Sequence, residues 1–111
     1  AGMLNLTRDY LVDNILIKEK SWLAEKTLSE AQLQEEGVLV LGIYRSDGNY
    51  LGAPNGQTTI HSEDTLIAYG KADVLQEVED RIRGNKGDAE HWDAVSEQEA
   101  RERKENAEDQ R

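Results

Sequence analysis

The side chains best suited to acid–base chemistry are two histidines, and neither stands in a catalytic pattern. His61 is followed closely by Ser62 and Asp64. Serine–histidine–acid triads take their members from separate elements, so residues of a single turn lack the geometry to act together. A hydrolase that uses His61 and Asp64 is therefore the weakest hypothesis. We predict that the chain is not an enzyme and has no catalytic residues.

His91 stands among acidic residues that could bind a metal ion. A zinc site on a helix needs a second histidine about one turn away, and none is present. Cysteine is absent from the chain, which excludes thiolate metal sites and disulfides. We predict no metal site and interpret His91 as an exposed histidine in a polar tail.

Arg45 is the residue best placed to bind a ligand. It follows an apolar run beside a turn, where its fork of donors could hold a phosphate or a carboxylate. The commoner alternative in a chain with 23 acidic residues is an ion pair with a neighbour such as Asp47. The glycine-rich residues 52–56 lack the ending of a phosphate-binding loop, so they predict no nucleotide-binding fold.

The composition excludes several classes of function. The chain has 111 residues, enough for one modest domain. Its formal net charge of −10 opposes binding to nucleic acids and to anionic membranes. Its longest apolar run, residues 38–43, is far shorter than the roughly 20 residues that span a bilayer. We predict no nucleic-acid partner and no direct insertion of this segment into a membrane.

Hydrophobic patterning predicts the order strand, helix, strand, strand, strand, helix, which is an α+β fold rich in β-strands. Thr27 and Glu30 have the spacing of a capping box, and Gly37 suits the left-handed position after a helix. The apolar strand at residues 38–45 is expected to be covered on both faces. The predicted strands are residues 10–17, 38–45, 50–53 and 65–69, and the predicted helices are residues 27–37 and 73–83.

The chain divides into three zones by composition. Residues 1–9 are a short lead, which an upstream region would precede if the chain is a fragment. Residues 10–83 carry nearly all the large apolar side chains and form the domain. Residues 84–111 are a charged tail, either an exposed helix or disordered. We expect disorder, because an isolated helix without an apolar face is marginal in water.

Four stretches of the domain carry motifs in an order that is specific in combination. They are a Lys-Thr-Leu helix start, a Gly-Val strand that ends in arginine, a proline loop, and an Asp-Thr-Leu strand closed by glycine. The set resembles the TrkA-C (RCK-C) family, the C-terminal subdomain of regulators of potassium conductance. Glu25 and Glu63 stand where that family usually has glycine. The stretches are residues 21–30, 37–45, 52–60 and 63–70.

The resemblance implies a domain that dimerises on the cytoplasmic side of a potassium or other ion channel or transporter, at the inner face of the cell membrane. The implied partners are a second copy and a channel or transporter subunit, in cis or in trans. Arg45, Tyr50, Leu51 and Pro54 match the positions that line the cleft between two protomers. No resident cofactor is expected; the implied occupant of the cleft is a cyclic dinucleotide or another small anionic ligand.

Two positions depart from the relatives that bind cyclic di-AMP. Ile43 stands where an acid is expected before Arg45, and the nearest amide, Asn49, lies in the turn and not in the next strand. The sequence therefore does not specify cyclic di-AMP. Two hypotheses stay open: a ligand-sensing and dimerising regulatory module of an ion-transport system, and a purely structural dimerisation domain of a larger membrane protein with no ligand.

Overall fold

The computed structural model describes residues 4–5 and 9–109, and it confirms the α+β class. The rest of the predicted lead and the last two residues of the tail lie outside the described part. The predicted elements occur in the predicted order, preceded by a short strand and followed by a long helix. The elements are β1 (Leu4–Asn5), β2 (Tyr10–Leu16), α1 (Leu28–Ala31), the 3₁₀ helix η1 (Leu33–Glu36), β3 (Leu39–Tyr44), β4 (Tyr50–Leu51), β5 (Thr65–Lys71), α2 (Ala72–Asp80) and α3 (Asn85–Asp109).

Within the described residues, five strands form one antiparallel sheet in the order β1-β2-β5-β3-β4. A register shift between Val40 and Gly42 marks a bulge in β3. The short β4 pairs only with Ile43 and Tyr44 of β3. The first half of β3 therefore has β5 as its single strand neighbour among the described residues, and its other edge is open.

One face of the sheet carries the core. β5 alternates between buried and half-buried residues, the pattern of a strand with one covered face. Leu66 lies opposite Ile15 on one side and Ile43 on the other, and all three are fully buried. Val74 and Val78 of α2 join this core. Each such burial contributes about 1.5–3 kcal/mol, so packing rather than strand propensity holds the sheet together.

The opposite side of the sheet, named here the outer face, has no buried apolar residue among its described members. Leu16, Leu39, Tyr44 and Tyr50 are between 42% and 51% exposed. The prediction that the strand at residues 38–45 is covered on both faces is wrong, because the described chain places no second layer over this side. The outer face consists of Tyr10, Val12, Leu16, Leu39, Tyr44, Tyr50, Ile67 and Tyr69.

The predicted capping box starts α1. The Thr27 hydroxyl accepts a hydrogen bond from the Glu30 amide, and the Glu30 carboxylate accepts one from the Thr27 amide at 2.8 Å. The bond from the Thr27 amide lowers the pKa of Glu30. The single helix predicted here is split, because Gln32 has a left-handed φ of +50° and η1 begins after it. Gly37 ends η1 at φ +83°, as predicted.

Two glutamates have the backbone conformation that favours glycine. φ is +69° at Glu25 and +73° at Glu63. A left-handed conformation costs an L-residue about 1–2 kcal/mol. These are the two positions at which the resembling family usually has glycine, so the turns are retained although the residue type has changed.

Glu63→Gly is therefore expected to stabilise the domain. The relief of backbone strain exceeds the greater chain entropy that glycine has when unfolded, which leaves a net gain of about 0.5–1 kcal/mol. Urea unfolding of both proteins at one pH would measure the gain. Glu63→Ala is the matched control, because it removes the same carboxylate but keeps Cβ. An equal gain in both variants would contradict the strain argument.

The tail is a helix, so the expected disorder of residues 84–111 is wrong for the part that the structure describes. α3 runs without a break over 25 residues. It does have a packing face, since Gly87, His91, Ala94 and Val95 are buried at helical spacing. The predicted exposure of His91 is also wrong, because only 3% of this residue is exposed. This narrow buried face seats α3 against the domain.

Candidate functional site

An open cavity lies between the α1–η1 corner, the start of β3 and the proline loop. Its volume is about 300 Å³, at the small end of the range for ligand pockets. Its wall combines apolar side chains with a few hydrogen-bonding groups. The residues that line it are Leu28, Ser29, Leu33, Gln34, Val38, Leu39, Val40, Pro54, Asn55 and Gly56.

Leu39 connects this cavity to the outer face of the sheet. It lines the cavity, lies opposite Tyr69 in the sheet and is 45% exposed. Leu39 and Val40 also lie on the open edge of β3, beyond the reach of β4. A surface that covered the outer face at Leu39 would therefore also border the cavity.

Arg45 is held by an acid that sequence reasoning did not select. Its Nη1 donates to Asp64 Oδ2 at 2.6 Å and to the carbonyl oxygen of Thr59 at 2.8 Å. Asp47, the partner expected from the sequence, accepts instead from the backbone amide of Asn49 at 2.9 Å. The Arg45 side chain is 21% exposed and that of Asp64 is 2% exposed. The pair fixes the end of β3 against the segment that precedes β5, and part of the Arg45 side chain stays at the surface.

The four predicted cleft residues do not meet in one copy of the chain. Pro54 lines the cavity, and Leu51 packs against the core. Tyr50 lies on the outer face with its ring 4.5 Å from that of Tyr44, centroid to centroid. Arg45 is bound to Asp64 and does not line the cavity. A cleft that contains all four residues would need a second surface to complete it.

His61 and Asp64 are not arranged as a catalytic pair. His61 Nδ1 lies 3.0 Å from Glu25 Oε1, and this hydrogen bond lowers the pKa of Glu25. Asp64 Oδ2 accepts from the backbone amide of His61 at 2.7 Å. Among the residues that the structure describes, no cluster of three or more potential metal ligands occurs. The chemistry available around Arg45 is hydrogen bonding and charge pairing.

The residues that form the cavity wall and those that bind Arg45 lie inside a stretch of the chain that matches the model of a known domain family. The family model of the TrkA-C domain matches residues 14–83. The chain belongs to the TrkA-C domain family. The resemblance carried by the four motifs is thereby confirmed. A search of curated protein sequences found no match.

Solved structures confirm the TrkA-C fold. An RCK_C domain dimer of S. agalactiae BusR in complex with c-di-AMP matches with a TM-score of 0.53 and 19% identity, over 61% of this chain and 93% of that one. S. agalactiae BusR in complex with its busAB-promotor DNA matches with a TM-score of 0.53 and 21% identity, over 59% of this chain and 32% of that one. The GsuK channel bound to NAD matches with a TM-score of 0.53 and 20% identity, over 64% of this chain and 13% of that one.

At these identities the likeness shows the fold alone, and the ligands and the DNA belong to those proteins. The chain corresponds to about a third of BusR and a smaller part of GsuK. The predicted absence of a nucleic-acid partner stays a prediction, since one protein that contains this fold binds promoter DNA. None of the helices within the described residues has the length and apolar character to cross a membrane.

α3 lies beyond the residues that match the TrkA-C model, yet a buried charge cluster holds it to the domain. Arg81 donates to both oxygens of Glu36 at 2.8 Å, and neither side chain is exposed. His91 Nδ1 lies 2.5 Å from Glu36 Oε2. Because a carboxylate only accepts, Nδ1 must carry the proton. The cluster joins η1, the end of α2 and α3.

Trp22 forms the second half of this junction. Its ring stacks on His91 at 4.9 Å between centroids, and its Nε1 donates to Asp88 of α3 at 2.8 Å. Lys26 Nζ lies 4.2 Å from the ring centroid, and burial lowers the pKa of this lysine. Gly87 lets α3 approach closely, since a Cβ there would lie 2.1 Å from the carbonyl oxygen of Ile82. A side chain at position 87 is therefore incompatible with the docked helix.

Sequence reasoning missed this junction, although one signal was present. Gly87, His91, Ala94 and Val95 have the spacing of one helix face. The residues that bind them lie far away in sequence: Glu36 is 55 positions from His91 and 45 from Arg81. Spacing along the tail can suggest a packing face, but it cannot show what the face packs against.

Glu77 of α2 gives a pH-dependent prediction for the α2–α3 contact. Its partial burial and the nearby carboxylate of Glu97 in α3 raise its pKa above 4.5. A raised pKa means that ionised Glu77 destabilises the folded state, so this cost falls as the pH drops through the folded pKa. Glu77→Gln is expected to stabilise the protein at pH 7 by less than about 1 kcal/mol, because the group is mostly exposed. The gain should shrink towards pH 4.5.

Urea unfolding at several pH values would measure this effect. Glu105→Gln is the control, because Glu105 is an exposed glutamate in the distal part of α3. A Glu77→Gln gain that is independent of pH, or equal to that of the control, would contradict the assignment.

Proposed function

We propose that this TrkA-C domain is a regulatory, ligand-sensing and dimerisation module of a potassium or other ion-transport system. The observation that carries the proposal is the double role of Leu39, which lies both on the outer face and in the cavity wall. A second copy seated on the outer face would bury its exposed apolar side chains and would close the cavity. The resulting cleft would bring Tyr50 of the outer face and Pro54 of the cavity to one interface.

The cleft chemistry supports a small anionic ligand with flat apolar parts, such as a cyclic dinucleotide. Leu28, Leu39 and Pro54 offer apolar surface for a base, and Gln34 offers hydrogen bonds. Arg45 follows the strand that borders the cavity, and its side chain is partly exposed. The fork of donors of an arginine binds phosphate and carboxylate groups.

The cellular setting belongs to the same proposal. The domain acts without catalysis and without nucleic acid, on the cytoplasmic side at the inner face of the cell membrane. A second copy and a channel or transporter subunit, in cis or in trans, are its partners. Ligand binding changes the state of the partner only if it favours one arrangement of the dimer over another.

One observation favours the alternative, a structural dimerisation domain without a ligand. Ile43, which replaces the acid of cyclic-di-AMP-binding relatives, is fully buried in the core. The Asn49 side chain donates to Asp47 at 3.1 Å within its own turn. Ile43 is thus enclosed in the core, and the Asn49 amide is used within its own turn. Neither position supplies the ligand-binding group that the relatives have.

The dimer is tested by analytical ultracentrifugation of three proteins over a range of concentrations. The unmodified chain is expected to sediment as a dimer. Tyr44→Glu places a charge on the outer face and is expected to sediment as a monomer. Ile82→Glu is the matched control, because Ile82 is an exposed apolar residue away from the sheet and its variant is expected to remain dimeric. An unmodified chain that stays monomeric at high concentration contradicts the proposal.

Calorimetric titration with cyclic di-AMP, cyclic di-GMP, ATP and NAD tests the ligand. We expect one compound to bind saturably, and Ser29→Asp to abolish binding by placing a negative charge in the cavity wall. Asn106→Asp adds the same charge in the exposed distal part of α3, outside the cavity, and should leave the affinity unchanged. A dimer that binds none of the compounds would favour the structural alternative.

A further inference from the structure

η1 serves two structures at once, because one side of this short helix faces the cavity and the other holds α3. Leu33 and Gln34 line the cavity. Glu36, in the same turn of 3₁₀ helix, binds Arg81 and His91 in the buried cluster. Packed interiors transmit small displacements, so a shift of the cavity side of η1 is expected to move Glu36 as well.

The shared use continues into the residues that follow η1. Val38 lines the cavity. The residue before it, Gly37, is covered by Gln98 of α3, whose Oε1 would lie 2.5 Å from a Cβ at position 37. Arg101 Nε holds this Gln98 oxygen at 2.9 Å. Between Leu33 and Val38, residues that line the cavity therefore stand next to residues that contact α3.

The seat of α3 is sensitive to small movements of η1. Arg81 Nε and His91 Nε2 are buried without a hydrogen-bond partner within the described part of the chain. Unpaired buried polar atoms make the docked state less favourable than a fully satisfied one. The bonds that Glu36 does make, at 2.5 and 2.8 Å, depend steeply on its position. A modest change at η1 therefore changes how firmly α3 is docked.

We propose that α3 reports the occupancy of the cavity, with η1 as the shared element between the two. This inference rests on the proposed function for its ligand and adds the regulatory output. An occupant that packs against the exposed Gln34, over the nearly buried Leu33, holds η1 in the position that Glu36 needs for Arg81 and His91. Occupancy and docking of α3 then favour each other, and by linkage the effect is equal in both directions.

Trp22 is a built-in probe of this coupling, because its ring stacks on His91 and its Nε1 bonds Asp88 of α3. Trp92 is 56% exposed, and Trp92→Phe leaves Trp22 as the single tryptophan. In the Trp92→Phe protein, saturation with cyclic di-AMP is expected to shift Trp22 emission to shorter wavelength and to reduce quenching of Trp22 by acrylamide. Calorimetry on the same protein shows whether the compound binds.

The reverse direction is tested with His91→Ala, which removes the imidazole of α3 that contacts Glu36 and Trp22. The affinity for cyclic di-AMP is expected to fall about five-fold or more, the lower end of typical allosteric coupling. Glu99→Ala is the control on the exposed side of α3 and should leave the affinity unchanged. Binding with an unchanged Trp22 signal and an unchanged His91→Ala affinity overturns the coupling but leaves the proposed function intact.

If cyclic di-AMP does not bind, a bulky side chain introduced by substitution can occupy the cavity in its place. Ser29→Phe places a ring in the cavity wall, and Ser46→Phe places the same ring in an exposed turn as the control. Hydrogen exchange at the amides of residues 89–98 is expected to slow at least several-fold in Ser29→Phe relative to Ser46→Phe. Equal exchange in the two variants overturns the coupling whatever the ligand is. Slower exchange in Ser29→Phe supports it even where the ligand proposal has failed.

Discussion

Glu36→Leu is expected to destabilise the domain by about 3–5 kcal/mol. The substitution leaves the guanidinium of Arg81 fully buried without its carboxylate partner, and an unpaired buried charge has a cost of this size. Since domains of this size have a total stability of about 5–15 kcal/mol, the variant should be close to unfolding at 37 °C. Urea or thermal unfolding would show a fall in midpoint on the order of 15 °C or more.

The double variant Glu36→Leu/Arg81→Leu tests whether the loss of stability comes from leaving one buried charge without its partner. Replacing both charges by apolar groups removes the unpaired charge, so the double variant should be more stable than either single variant. His91 Nδ1 then lacks its partner, which keeps the double variant below the unmodified protein. Arg103→Leu in the exposed distal part of α3 is the control and should have little effect. Additive losses in the double variant would contradict a charge-driven cluster.

Asp64→Ala is expected to cost about 3 kcal/mol. Its carboxylate is almost fully buried and accepts from both Arg45 Nη1 and the backbone amide of His61. The variant leaves a buried amide without an acceptor and a partly buried guanidinium without a counter-charge, and the two losses together account for the estimate. The Arg45 side chain is partly exposed, which keeps the loss below that of the fully buried pair.

The acid that holds Arg45 is identified by comparison with Asp47. Asp47→Ala should cost less than about 1 kcal/mol, because Asp47 is exposed and bonds only within its own turn. Asp64→Asn should lie between the two, since an amide oxygen can still accept from His61. Thermal unfolding of the three variants at pH 7 gives the ranking. A larger loss of stability for Asp47→Ala than for Asp64→Ala would contradict this pairing and would indicate that Arg45 pairs with Asp47, as the sequence predicted.

If Arg45 binds a ligand, Asp64 fixes the position of its guanidinium before the ligand arrives. The carboxylate holds the guanidinium at the end of β3, and the arginine does not have to be ordered when a ligand arrives. This preorganisation reduces the entropy cost of binding. It follows that Asp64→Asn should weaken binding of an anionic ligand at the dimer cleft even where the domain stays folded.

The extent of the structural unit differs from the extent of the family pattern. The TrkA-C match ends at residue 83, whereas the buried cluster joins Glu36 and Arg81 inside the match to His91 outside it. Truncation at the family boundary would expose the Trp22 ring and the Glu36 carboxylate, both of which the structure buries. Experiments on this domain should therefore retain α3.

Features that depend on near neighbours in the chain could be predicted from the residue types alone. The capping box of Thr27 and Glu30 and the left-handed Gly37 involve residues within one turn, so their types and spacing are sufficient to predict them. The hydrophobic patterning and the order of the elements predicted the α+β class. The order of the motifs predicted the family. It also located Glu25 and Glu63 at positions where the family usually has glycine, and both have a left-handed φ.

Which charges pair and which faces are covered depends on contacts that form when the chain folds. Arg45 binds Asp64, 19 positions away, and not the nearby Asp47, because folding brings the segment before β5 against the end of β3. The apolar run of β3 looked covered on both faces, but hydrophobicity cannot tell a face that the chain buries from one left open. His91 looked like a surface residue because charge and spacing along the tail do not encode its distant partners Glu36 and Trp22. Burial of a charge depends on a partner that only the folded chain supplies.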